Sequence, residues 1–292
     1  MTKIIEIFIN GLVSGGVYAM LAVGFALIFG VTRMLNMAHT AFYMLAAFLI
    51  LACSTMLGWP LPVAIVAAVI VTTAAGMAVF GLLFDRVKEH QNAVMIISVA
   101  VALLIQEAVL FTFGGHYRGI PPFSKGFIDI FGARVSHQHL FAIATSFTVL
   151  AGLWLLLTRS NLGRAIRAVA QDREVANLMG IEISHILLVV MGISTGLAAL
   201  AAAVVAPIQV LGPLMWIQPL TVVLASVVIG GLGSVGGSVA GAFIIGYTET
   251  IVVTLLPSGG YLAAPAAMLI LIVVLIIRPE GLRGVMFEEE RI

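Results

Sequence analysis

Nine stretches of nearly pure hydrocarbon side chain divide this chain, near 7–31, 41–57, 63–84, 91–113, 139–157, 185–207, 219–229, 239–256 and 262–277. No water-soluble core can absorb that pattern: 62% of the residues are hydrophobic and 9% charged, where a soluble domain has about 25% charged. The lipid bilayer is therefore the solvent, and a segment that spans it satisfies its backbone internally as a helix. Eight stretches are long enough for the ~30 Å hydrocarbon core; 219–229 offers only about 16 Å. The expected fold is an all-α integral membrane protein, one polytopic helical bundle over residues 1–292. It has eight or nine transmembrane segments, at least one of them short or broken.

Lys and Arg collect on cytoplasmic loops. If all nine segments cross and the C-terminus is cytoplasmic, Arg33, Arg86, Lys88, Arg159, Arg164, Arg167, Arg173, Arg278, Arg283 and Arg291 face the cytoplasm. Only Lys3, Arg118, Lys125 and Arg134 then lie outside with the N-terminus. A re-entrant 219–229 would invert the N-terminal half. Residues 114–138, with Pro121-Pro122, read as an ordered external loop, and Glu288-Glu289-Glu290 as a solvated end. The first apolar run is too long for a signal-peptide core and is read as a retained helix.

Several chemistries are excluded. None of Lys3, Lys88 and Lys125 sits in a G-x-x-x-x-G-K-[ST] context, so ATP hydrolysis is not expected in this chain. In the Gly-rich stretch Ser234 directly follows a glycine, which is not the G-x-S-x-G spacing of a hydrolase elbow, and H-E-x-x-H does not occur, so the common zinc arrangement is unsupported and no metal site is predicted. The lone Cys53 rules out an intrachain disulfide, and a net charge of +1 gives no reason to invoke nucleic acid.

The polar exceptions carry the functional reading, because an ionisable group inside a span is a functional hypothesis. Glu107 lies near the outer end of its span, where it can reach water; Glu249 sits deeper, and Glu6 is interfacial. Asn36 and His39 fall between two closely spaced apolar runs. The polar break and new helix at 36–48 resemble the Gly/Ser break and new helix at 233–246, a possible internal inverted repeat. Discontinuous helices of that kind aim freed N–H groups at an anionic substrate. The candidate pathway residues are Asn36, His39, Tyr43, Gln106, Glu107, Gly233, Ser234 and Glu249. The glycines at 230–237 are expected to form a partly buried break that feeds the path. Beyond them Gly237, Gly241 and Ile245, at four-residue spacing, admit a close helical neighbour.

The longest hydrophilic stretch, 158–184, predicts a helix from Gly163 through Met179 that ends at a left-handed Gly180. Ala165, Ala168, Val169, Asp172, Ala176 and Met179 share one face, with Arg164, Arg167 and Arg173 around the others. Such a helix either rests on the bilayer surface or docks a cytoplasmic partner.

Four motifs, in order and spanning essentially the whole chain, carry a resemblance. They are LNMAH at 35–39, GRAIRAVAQDREVANLMGI at 163–181, IGGLGSVGGSVAGAFIIG at 229–246 and RPEGL at 278–282. Together they resemble the LivH-type permease subunits of branched-chain amino acid ABC importers. Departures include Met37, Thr40, Gln171, Gly236 and the Val87-Lys88 pair. The resemblance implies a multi-pass protein of the bacterial inner (cytoplasmic) membrane that forms a path for branched-chain or hydrophobic amino acids. It implies a second permease subunit, paralogous or identical, and a periplasmic binding protein. Two cytoplasmic ATPases would hold ATP and Mg. It makes 163–181 a coupling helix, with Gly163 and Gly180 at its ends, Arg164, Arg167 and Asp172 in polar contacts, and Ala168 and Ala176 giving close approach. Urea, amides or aromatic acids are alternative cargoes. A self-contained secondary transporter would not need the docking helix, and an intramembrane enzyme lacks a catalytic constellation.

Overall fold

The computed structural model describes residues 2–122, 126–130 and 132–282. Lys125, Arg283, Arg291 and the Glu288–Glu290 tail lie outside them. Eight helices are long and apolar enough to span: α1 (Thr2–Thr32), α2 (His39–Leu51, continued by a π-helical turn to Met56), α3 (Leu61–Val79, continued likewise to Phe84), α4 (Gln91–Phe113), α5 (His137–Arg159), α8 (Ile183–Val205), α10 (Val235–Leu255) and α11 (Gly259–Ile277). The ninth, α9 (Ile217–Gly230), is short, as its apolar run predicts. Two further short helices, α6 (Asn161–Gln171) and α7 (Arg173–Leu178), lie between α5 and α8. Before α5 a small hairpin, β1 (Phe127–Ile130) against β2 (Ala133–Ser136), pairs Phe127 with Ser136 and Ile130 with Ala133.

The buried centre is α1, α2 and α8. Some 78% of the most apolar window of α1 and 72% of that of α8 are buried, against 17% for α5 and 11% for α11. A helix that is apolar all round belongs inside such a bundle, and α1 is lined with small residues that let neighbours close in. The Tyr247 and Phe243 rings of α10 lie over Gly11 and Gly15, and the backbones of Gly15 and Gly246 touch. Gly237 and Gly241 do the same for α9: a Cβ on either would strike the carbonyl of Gly230 or Ser226. The close neighbour predicted from that spacing is therefore α9.

Cross-links between distant loops sort the helix ends onto two faces. On one face Arg173 donates to the Val31 carbonyl (2.9 Å), Lys88 bonds Asp85 (2.9 Å) and Ser184 (2.8 Å), and Leu282 N donates to Ile229 O (2.8 Å). On the other, Arg118 and Leu211 exchange two backbone hydrogen bonds (3.0 and 2.7 Å), and Gly132 lies beside Thr2. Among the described residues, seven of the nine apolar helices run from face to face, while α2 and α9 each cover only part of that distance and their lead-in segments complete it. The first face carries Arg33, Arg86, Lys88, Arg159, Arg164, Arg167, Arg173 and Arg278. The described basic residues of the second are Lys3, Arg118 and Arg134. By that charge excess the first is expected to be the cytoplasmic face, with the loop and hairpin between α4 and α5 outside beside the N-terminus.

Candidate functional site

Two helices begin inside the bundle rather than at its faces. After α1 reaches the cytoplasmic end, residues 33–38 turn back inward, and α2 starts beside Leu21 and Gly24, about 12–16 Å from the end of α1 at 1.5 Å per residue. Six extended residues reach roughly 20 Å, enough for that return. Irregular backbone at this depth needs partners, and the polar residues of the break provide them. Thr32 Oγ1 donates to Ile28 O (2.8 Å) and accepts from Met34 N (3.2 Å). Asn36 Oδ1 accepts from Ala38 N (3.0 Å), its Nδ2 points at Met191 Sδ (3.6 Å), and Ser98 Oγ accepts from Met37 N (3.0 Å). His39, fully buried, places Nε2 on the Leu21 carbonyl (3.0 Å), which can only accept, so this nitrogen carries a proton. Ser194 Oγ lies between His39 Nδ1 (3.1 Å) and Gly24 O (2.8 Å). Asn36 and His39 thus hold the start of α2 in place, and Tyr43, also buried, belongs to the core around it.

The second internal start is α9. Residues 206–216 return from the outer end of α8, and Trp216 Nε1 donates to Gln106 Oε1 (2.9 Å), about 10 Å inside the outer end of α4. Gln106 in turn donates to Glu107 Oε1 (3.2 Å), whose side chain is exposed and turned off the chain. Gln218 and Thr221, on the first turns of α9, are exposed as well. Behind α9, Glu249 is buried: its Oε2 accepts from Tyr18 Oη (2.7 Å), while Oε1 makes no hydrogen bond of normal geometry although the Gln218 side chain approaches the carboxylate. Tyr18, Trp216 and Gln218 are additions to the predicted set. Aromatic residues in apolar helices look like packing until their partners are known.

The Gly-rich turn is not at this depth. Gly231 (φ 98°) and Gly233 (φ 82°) adopt conformations open mainly to glycine, and Gly233 lies against Gly30, within the last turn of α1. Ser234 Oγ accepts from Gly237 N (3.1 Å) and caps α10. The expected partly buried break is therefore a tight turn at the cytoplasmic edge, away from Glu107 and Glu249. RPEGL closes over it: Gly281 packs on Gly231, and Leu282 bonds Ile229. Passages 36–48 and 233–246 also enter from the same face, so an axis in the membrane plane does not relate them. The passage that enters from the opposite face is 206–217.

On the cytoplasmic side the expected single helix is two. Asp172 is extended (φ −153°, ψ 117°) and its carboxylate caps α7, accepting from Glu174 N (2.8 Å) and Val175 N (3.0 Å). The first helix starts at Asn161, not Gly163, because Ser160 Oγ accepts from Gly163 N (2.9 Å) and caps it. Gly163 is buried against the Leu156 and Leu157 carbonyls, with Ile166 and Val169 on the same inward face. Ala176 also faces inward, and Ala168 is half-buried. Gly180 (φ 83°) closes the segment, as predicted. What projects outward is Arg164, Arg167 and an apolar knob: Leu178 at 86% exposure and Met179 at 79%. Arg173 bridges this segment to α1. Burial lowers its pKa, opposed by the nearby Glu89 and reinforced by Arg33.

Comparison with known proteins identifies the family and the fold. The sequence profile described as branched-chain amino acid transport system / permease component matches residues 7–278. The chain is 29% identical over 291 residues to the high-affinity branched-chain amino acid transport system permease protein BraD of Pseudomonas aeruginosa, covering 94% of each. It is 26% identical over 294 residues to LivH of Escherichia coli K12, again covering 94% of each. The fold resembles that of PsaBC from Streptococcus pneumoniae (TM-score 0.54, 14% identity, 94% of this chain and 93% of that one). It also resembles an inward-facing metal-chelate type ABC transporter (TM-score 0.53, 16% identity, 94% and 88%). By the extent of the profile match and the shared architecture, this chain belongs to the branched-chain amino acid transport system permease family.

Proposed function

We propose that this chain is one of two membrane subunits of an ATP-driven importer in the bacterial inner membrane, and that it carries branched-chain or other hydrophobic amino acids. A periplasmic binding protein delivers the amino acid to the outer face. Two ATPase subunits, which hold ATP and Mg, dock beneath α6 and α7. The second membrane subunit is a paralogue or another copy of this chain.

The observation that carries the path assignment is a polar strip near the outer end of α4: Glu107 and Gln218 are exposed, half-buried Gln106 bonds Glu107, and the buried Trp216 holds Gln106 in place. A carboxylate facing hydrocarbon costs about 2.5–3.5 kcal/mol on insertion scales. Glu107 therefore faces water or a partner subunit, and a path shared between two permease subunits supplies both. Glu249, with its unpartnered Oε1, extends the strip inward and offers an acceptor to an ammonium group. Asn36 and His39 act on the path indirectly, by fixing where α2 begins.

The test is ATP-driven uptake of labelled leucine by the reconstituted complex. Glu107→Gln should lower uptake about tenfold, a change near 1.4 kcal/mol, with ATPase association unchanged. Uptake equal to wild type in both Glu107→Gln and Glu249→Gln would remove α4 and α9 from the path.

A further inference from the structure

Below the middle of the molecule α5 and α10 stand apart. Their side chains meet at Phe147 and Phe243, with ring centroids 6.1 Å apart. From there to the cytoplasmic end they enclose a groove of about 410 Å3, floored by α1. Its walls are carbon: Val23 and Leu27 from α1, Leu150 and Leu153 from α5, Val239 from α10. The groove extends along α1 from Val23 to Val31, about 12 Å at 1.5 Å per residue. At its cytoplasmic mouth stands Arg167 of α6. Its exposed guanidinium makes no ion pair or hydrogen bond among the described residues. No carboxylate lines the groove and α6 contains none.

An apolar trough that ends at an unpaired cation is an amphipathic receptacle. An amino acid does not fit it, because no carboxylate awaits an ammonium group. A small soluble anion would leave the trough unused. The chemistry that matches both parts is an anionic head on a hydrocarbon tail. The face is cytoplasmic, where anionic lipids concentrate and basic pockets between helices bind their headgroups. We propose that the groove holds one acyl chain of an anionic phospholipid of the inner leaflet, with its phosphate on Arg167. Guanidinium and phosphate pair through two parallel N–H···O bonds, so the lipid ties α6 to the wall formed by α5 and α10. This assignment does not depend on which solute the permease carries.

Native mass spectrometry of the full chain in an uncharged detergent tests it, with phosphatidylglycerol and phosphatidylcholine of matched chains added in turn. Wild type should retain one phosphatidylglycerol per chain and bind phosphatidylcholine, whose choline cation competes with Arg167 for the same phosphate, about tenfold more weakly. Arg167→Gln should bring phosphatidylglycerol down to the phosphatidylcholine level, and Arg167→Lys should restore part of the difference. Val239→Trp, whose indole fills the trough, should remove both lipids, with size-exclusion profiles confirming that each variant remains folded. Any one of three results overturns the proposal. The first is phosphatidylglycerol retention unchanged in both Arg167→Gln and Val239→Trp. The second is displacement of the lipid by glycerol phosphate at equal concentration, which would mark a simple anion site. The third is cross-linking of Val239→Cys to a second permease subunit, which would make the groove a subunit interface.

Discussion

Asn36 serves the break between α1 and α2 through both ends of its amide, taking Ala38 N on Oδ1 and pointing Nδ2 at Met191 Sδ. Asn36→Ala strands a buried backbone N–H, which costs about 1–3 kcal/mol, and should lower the melting temperature of the detergent-solubilised chain. Asn36→Asp, which keeps an acceptor for Ala38 N, should lose less. Equal melting of Asn36→Ala and wild type would show that the break stands without it. At Glu249 the expected pattern is asymmetric. Tyr18→Phe removes the only hydrogen bond of normal geometry to a buried carboxylate and should cost about 1.5–3 kcal/mol. Tyr18→Phe combined with Glu249→Leu should be less destabilised than the sum of the two single changes, as a double-mutant cycle on melting would read. Both polar spots are visible in the sequence as ionisable or amide groups within apolar runs. Their roles are not visible, because Met191 and Ser194 lie 155 residues from Asn36 and His39, and Tyr18 lies 231 residues from Glu249. A polar side chain that completes its own backbone and one that faces a solute have the same local sequence.

The spanning helices follow their apolar runs closely, because in lipid a hydrocarbon run has little choice but helix. The predicted 63–84 and 91–113 are α3 with its π turn and α4. The segment proposed to dock the ATPases is less legible, since no bilayer enforces its form. Its small residues keep a 3.6-residue rhythm across Asp172, and that rhythm points to one helix. The side chain of Asp172 instead captures the amides of residues 174 and 175 and starts a new one. Aspartate ahead of a helical run is a strong N-cap signal, and here it outweighs periodicity. The break turns Ala176 inward and pushes Leu178 and Met179 out. Leu178→Asp should therefore abolish co-purification of the ATPase subunits while leaving the permease folded. Unaltered co-purification would place the docking surface elsewhere. Between α9 and α10, Gly241→Leu should prevent close packing and reduce the yield of folded protein, because the Ser226 carbonyl occupies that space.

Across the whole molecule, the charge rule applied to nine membrane segments puts the N-terminus outside and the end of α11 in the cytoplasm. In a Cys53→Ser background, His116→Cys should react with an impermeant thiol reagent in intact cells, and Leu178→Cys only after the membrane is opened. Labelling in the reverse order would invert the topology. The charge distribution is what assigns this orientation, whereas the inward starts of α2 and α9 are not legible in the sequence, because depth depends on which distant helix a loop bonds to. That architecture gives Arg173 a mechanical meaning. One end of its side chain belongs to the outward-facing docking elbow, and the other grips the carbonyl of Val31, two residues before the left-handed turn at Arg33. It acts as a tie rod between the surface a motor would push and the hinge from which α2 is hung. A displacement of α7 by an ångström or more must either break that bond or drag the base of α2 with it, so one route for force from the elbow to the interior, beside the inward packing of α6 and α7, runs through this guanidinium.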